Sequence, residues 1–239
     1  MSPQEILNEF DLLYNNLSSN SAPPLDPYEI SVLLTKAQEE LVISYYNGYN
    51  SRLIGFESTE ETSEYLSRMV KELTYSQFVS EEDNVMGFKR YIVDKPENEK
   101  LFFIVREYTT ANKNDKCDNV VCVVNPVTQD NLNRVIQDPF KRPNDRKVLR
   151  CNVDNQIQLY SKLSLNSYVL TYLEKPNPII LVPLNYNIGN TIDGEDAVTT
   201  VFSVPDAMMR KIINRAVELA KVAYIGDLNA TISVNQRAQ

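Results

Sequence analysis

Histidine and tryptophan are absent from this 239-residue chain, and it has only six glycines and three cysteines. Without histidine, the commonest general base, the commonest zinc ligand and the usual pH switch are missing, which excludes most hydrolase schemes. The glycines (Gly48, Gly55, Gly87, Gly189, Gly194 and Gly226) are too scattered for a phosphate-cradling loop, which needs several close together. Gly189 and Gly194 have the outer spacing of a P-loop, but Glu195 and Asp196 stand where Lys and Ser/Thr are required, so the segment reads as a turn. No G-x-G-x-x-G occurs, and neither a nucleotide cofactor nor a bound metal is expected. Cys117, Cys122 and Cys151 are odd in number and lack C-x-x-C spacing, so they read as packed thiols in a reducing compartment. No apolar run approaches the roughly 18 residues of a membrane span. Met1 to Glu5 does not resemble a signal peptide, and a soluble protein made in the cytoplasm is expected.

What is present is written first in helical language. Ser2-Pro3-Gln4-Glu5, Asp26-Pro27-Tyr28-Glu29 and Ser58-Thr59-Glu60-Glu61 each place a capping oxygen three residues before a Glu. Ile6, Phe10, Leu13 and Leu17 then line one face, as do Ile30, Leu34, Ala37, Leu41 and Tyr45 up to Gly48. The third start is expected to carry Tyr65, Leu66, Met69, Val70 and Leu73. From Val85 the composition turns β-branched and aromatic. Strands are expected at 85–93, 101–108, 120–124, 147–153, 156–161, 168–173 and 179–182, with a short helix at 129–136. Ser203-Val204-Pro205-Asp206 is a fourth start, followed by Met209, Ile212, Ala216, Leu219, Ala220 and Ala223 on one face, with Gly226 as the stop.

The expected architecture is α+β. A helical bundle is built from both chain ends (residues 1–83 and the closing helix 203–226), an antiparallel β-sandwich or half-barrel is inserted at 84–202, and 227–239 forms an extended C-terminal arm. Charge divides with it: residues 1–83 hold 15 acidic and 4 basic side chains, and residues 84–239 hold 17 and 20. An acidic chain is a poor non-specific DNA binder. The local exception is Lys141, Arg142, Arg146, Lys147 and Arg150 around Asp145, which suits a solvated loop, a docking patch for an acidic neighbour or a weak contact with DNA. In the arm, Leu228, Ile232 and Val234 are interface candidates.

No catalytic constellation emerges. Asp193-Gly-Glu-Asp196 is the densest carboxylate group but lacks the order of a calcium loop. Tyr14, Tyr45, Tyr46 and Tyr49 suit packing and interfaces better than base stacking. A carboxylate-metal hydrolase and an assembly chaperone are competing readings.

Asn8–Asn16, Asp26–Glu40 and Gly55–Glu61 together resemble the opening of virion ring proteins of crAss-like tailed phages, a head-to-tail connector class. Ile157–Tyr160, Tyr168–Pro176 and Pro205–Gly226 are also similar to that group. The resemblance implies a structural, non-enzymatic subunit of a homo-oligomeric ring of twelve. It implies the portal protein and adjacent ring or tail proteins as partners, a channel that continues the DNA exit path, and no membrane partner.

Overall fold

In a computed structural model of the protein, the described residues are 1–17, 24–48, 64–96, 101–113, 119–185 and 189–225. The chain divides into two compact units. One is formed by Met1–Met69 with Pro176–Gln239, the other by Val70–Lys175.

The first unit contains helices α1 (Pro3–Leu17) and α2 (Pro27–Asn47) and the closing helix Asp206–Ile225, which packs against both. The two expected starts at its beginning are formed as capping boxes. The Ser2 N–H donates to Glu5 Oε2 at 2.7 Å, and the Asp26 N–H donates to Glu29 Oε2 at 2.9 Å. Gly48 ends α2 in the left-handed region at φ 78°, a backbone state that costs glycine little. Ser58 and Gly226 lie outside the described residues, as does the whole 227–239 arm with Leu228, Ile232 and Val234. The fourth start differs from expectation. Ser203 Oγ accepts from the Asn177 N–H at 3.0 Å, and the helix begins at Asp206, with the Met208 and Met209 N–H groups donating to the Pro205 carbonyl.

The core of this unit takes Ile6, Phe10 and Tyr14 from α1, and Ile30, Leu34 and Ala37 from α2. Tyr14 stacks on Phe10 with ring centroids 6.0 Å apart, a packing role. The closing helix buries Met208, Ile213 and Val217 in addition to the expected Met209, Ile212, Ala216, Leu219 and Ala220, because it has two helices to cover; Ala223 is exposed. Arg215 joins the closing helix to α2 through Glu40 at 2.8 Å.

The expected strand at 179–182 is a segment of this same unit without regular secondary structure, bent at 181–182, and joins no sheet among the described residues. Its Ile179 N–H donates to Thr35 Oγ1 at 3.0 Å and its Leu181 N–H to Ser31 Oγ at 3.3 Å. Two buried hydroxyls on α2 thus do for this backbone what a neighbouring strand does in a sheet.

The second unit is a curled sheet of eight strands: β1 (Val70–Tyr75), β2 (Ser80–Val85), β3 (Phe88–Asp94), β4 (Leu101–Asn112), β5 (Val120–Pro126), β6 (Lys147–Val153), β7 (Gln156–Ser161) and β8 (Ser164–Glu174). Their order is β1-β8-β4-β5-β6-β7-β3-β2. This is a single half-barrel sheet, so the sandwich alternative fails. It is also mixed rather than antiparallel, since β5 and β6 run parallel. A parallel pair needs a crossover, and the helix Gln129–Gln137 supplies it. The long strands β4 and β8 pair through three register shifts, irregularities of the kind that increase twist and curl a sheet.

Two further expectations are corrected. Val70 and Leu73 belong to β1, which pairs with β8, and not to a third helix. The run 85–93 is split by a two-residue turn, with Met86 at φ 54° and Gly87 at φ 84°, the primed geometry that matches strand twist. One face of the sheet buries Tyr91, Val93, Cys122, Val124, Val148, Ile157, Leu159, Tyr168 and Leu170. On the other, Leu132 and Ile136 of the crossover helix cover Leu149, Cys151 and Tyr160.

Candidate interaction surface

The basic segment leaves the crossover helix at Asp138 and enters β6 at Lys147, and its shape is set by local hydrogen bonds. Asp138 Oδ1 accepts from the Phe140 N–H at 2.9 Å, and the Asp138 carbonyl accepts from the N–H groups of Lys141 and Arg142 at 3.2 and 2.9 Å. Asn144 and Lys147 exchange backbone hydrogen bonds at 3.0 and 3.3 Å, and Asn144 Oδ1 accepts from the Arg146 N–H at 2.9 Å. Pro143 is buried beneath the turn. The result is a closed, preorganised loop.

Lys141, Arg142 and Arg146 are exposed on it, and Lys147 is half-buried. Asp145, central in sequence, is not paired with these arginines. It bridges Lys113 at 2.8 Å and Lys162 at 2.9 Å, and these two cations hold its carboxyl down to about 2.

Arg150 is a correction. It shares a sheet face with Val148 and points into the core, where its Nε pairs with Glu107 Oε2 at 3.0 Å and its guanidinium donates to Asn152 Oδ1 at 2.8 Å. The side chains of Arg150 and Glu107 are only 10% and 8% exposed. Tyr168 donates its hydroxyl to Glu107 Oε2 at 2.9 Å, and Tyr75 stacks on Tyr168 at 5.8 Å. Burial pushes the Glu107 carboxyl up, against the pull of Arg150. Burial first, and then the Glu107 charge, push the Tyr168 phenol up as well. This cluster belongs to the interior.

The most exposed large apolar side chain on the loop escaped sequence reasoning. Phe140 is 91% exposed. A second feature lies on β5, where Val121 and Val123 point outward at 59% and 61% exposure while Cys122 and Val124 point into the core. The Val123 N–H donates to the Arg146 carbonyl at 2.8 Å, so this valine pair abuts the basic loop. Strict alternation in Val120–Val124 is masked because both faces carry valine; the alternating inward cysteine and valine became evident only from pairing with β4 and β6.

Other candidates resolve into structural roles. Asp193 and Gly194 take φ 52° and 81°, and Ile192 and Glu195 exchange backbone hydrogen bonds at 2.9 Å, a tight hairpin turn. Cys122 and Cys151 are buried free thiols whose ionisation is opposed by burial, and Cys117 lies outside the described residues. Tyr45 packs edge-on against Tyr65 at 5.6 Å and accepts a hydrogen bond from Lys211 at 2.7 Å; Tyr49 lies outside the described residues. No described helix is long and apolar enough to cross a membrane.

The loop thus carries three exposed cations and an exposed aromatic ring on one short segment. Residues 1–232 match the phage tail ring protein 3/4 family. The chain belongs to that family. Two relatives come from Bacteroides phage crAss001. Its "Ring protein 4/5" is 31% identical over 247 residues, covering all of both chains, and its "Ring protein 3" is 32% identical over 228 residues, covering 93% of this chain and 96% of the relative. The family spans both compact units, including the basic loop and most of the residues outside the described ones.

Proposed function

We propose that this family member is a structural, non-enzymatic virion subunit that forms a closed ring of twelve copies in the portal-to-tail connector and continues the channel through which DNA leaves. The observation that carries the reading is the family match over residues 1–232, together with two relatives named as ring proteins along nearly their full lengths. The chain's chemistry supports it. There is no histidine, and the densest acidic group forms a hairpin turn. Its partners are further copies of itself, the portal protein, and adjacent ring or tail proteins.

Lys141, Arg142, Arg146 and Lys147 serve subunit docking in this reading, and Leu228, Ile232 and Val234 of the arm engage an adjacent ring. Contact with DNA is at most weak, because the chain carries 32 acidic against 24 basic side chains. The ring forms on the portal as template, so the isolated chain is mostly monomeric in light scattering.

Quantitative mass spectrometry of purified particles tests the reading. It predicts twelve copies per particle. Absence from particles that needed the protein for their assembly would instead identify an assembly chaperone. Metal-dependent hydrolysis by the purified chain would identify an enzyme.

A further inference from the structure

We infer that the loop 138–147 is a docking knob that seats Phe140 on the outward face of α1 in a second copy of this chain, with Arg142 and Arg146 set against the carboxylates beside Leu12. The inference rests on the ring reading above and names the contact that closes the ring.

The knob is built for contact. Phe140 is 91% exposed, and the turn that carries it is closed by three hydrogen bonds to Asp138, so presenting the ring to a partner orders little additional chain. A phenylalanine and two arginines on one short loop are residue types enriched in protein interfaces. Among the described residues, neither Arg142 nor Arg146 forms an ion pair, whereas both nearby aspartates are engaged: Asp138 with Lys141 at 3.9 Å, and Asp145 with Lys113 and Lys162. The knob therefore offers two uncommitted cations.

The seat is on α1. Ile6, Phe10 and Tyr14 take the inward face of that helix, and Leu12 stands outward at 61% exposure. At 100° per residue, Glu9 lies about 60° to one side of Leu12, three positions away on the same surface, and Asp11 lies about 100° round on the other flank. The helix contains Glu5, Glu9 and Asp11 and no basic residue. Complementarity also holds at the level of the units. Residues 1–69 and 176–239 carry 17 acidic and 8 basic side chains, against 15 and 16 in residues 70–175. Knob and seat are different patches of one sequence, so the contact is heterologous, and repetition of a heterologous contact closes a ring when its rotation divides a full turn.

The test uses the full-length chain in assembled particles. With p-benzoylphenylalanine in place of Phe140, which keeps an aromatic ring at the tip, irradiation is expected to yield a ladder of covalent multimers. Peptide mapping of these should link position 140 to residues 3–17 of another copy. A link to a different protein, or no link in particles holding the normal number of copies, would overturn the inference and leave the ring reading standing. Absence of the wild-type chain from particles would remove both. A charge exchange supplies the second arm. Arg142→Glu with Arg146→Glu should lower incorporation into particles about tenfold, and adding Glu9→Lys with Asp11→Lys should restore most of it. Failure of the second pair to restore incorporation, in a chain whose circular dichroism and melting are unchanged, would contradict the docking geometry.

Discussion

The two compact units each hold polar groups in an apolar core, and their most telling examples differ, hydroxyls that bind a neighbouring segment in one and a deeply buried ion pair in the other. In the unit made of both chain ends, the hydroxyls of Ser31 and Thr35 bond within α2 and also receive the Leu181 and Ile179 N–H groups, and the Gln38 amide is buried beside them on the same helix. The helix thereby holds the 179–181 backbone without a sheet. In the sheet unit the buried hydroxyls of Thr109 and Ser161 are accompanied by an ion pair, Arg150 with Glu107, fixed by Tyr168 and Asn152. Neutral hydroxyls are inexpensive to bury once bonded, whereas a buried pair is costly to break because either partner is then left charged in a medium of low polarity. Loss of the Thr35 hydroxyl should therefore cost less than loss of Arg150, while both units share the ordinary sensitivity of an apolar core.

The largest effects should come from one deletion in each unit. Arg150→Met leaves the Glu107 carboxylate buried without its guanidinium and should destabilise the sheet unit by about 3–5 kcal/mol in urea unfolding. Replacing both residues by apolar ones, as in Arg150→Met with Glu107→Leu, should recover a large part of that loss. Equal damage in the single and double variants would show that the pair is not the origin of the effect. Phe10→Ala, which opens a cavity against Tyr14, should cost the helical unit about 3–5 kcal/mol, so the comparison concerns polar groups and not apolar packing. Next in size is Thr35→Val, which removes the acceptor for the buried Ile179 N–H and should cost about 1–3 kcal/mol. A loss as large as that of Arg150→Met would erase the distinction between the units.

Acid should reveal a smaller, one-sided effect. Asp145 is held down to about 2 by Lys113 and Lys162, below the ordinary carboxylate value of about 4, so the unfolded chain takes up its proton first as pH falls. Its contribution to the sheet unit is fully present above about pH 4 and is lost as pH falls toward about 2. Asp145→Asn should flatten that part of the pH dependence, as followed by thermal melts across the range; an unchanged slope would assign it to other carboxylates. The smallest effect is expected from Asp193→Asn, Glu195→Gln and Asp196→Gln together. With Gly194 retained, this exposed turn should change stability by no more than about 0.5 kcal/mol and leave particle assembly near normal.

How far the sequence was legible follows the same division. The capping boxes at Ser2 and Asp26, the stop at Gly48 and the helical face of the closing segment are local signals, and they appear where local chemistry put them. Val70-Lys-Glu-Leu73 has apolar residues three apart and reads as helix, but its structure is set by β8, about a hundred residues later in the chain. The 179–182 segment has the composition of a strand and finds its hydrogen bonds on a helix instead. Arg150 reads as part of a surface patch from its neighbours in sequence, although position alone puts it with Val148 on one strand face. The acidic hairpin turn was legible because Asp193-Gly194 specifies its own backbone. Phe140 was not, since nothing in a sequence distinguishes an aromatic held outward by an Asp138 turn from one folded into a core.

The central claim is that the chain is a ring subunit, and electron cryo-microscopy of purified particles, reconstructed around the junction of head and tail, tests it most directly. The account predicts a closed ring of twelve copies of this chain surrounding the DNA path. Particles that lack the chain, or hold it in an arrangement without cyclic symmetry, would contradict it.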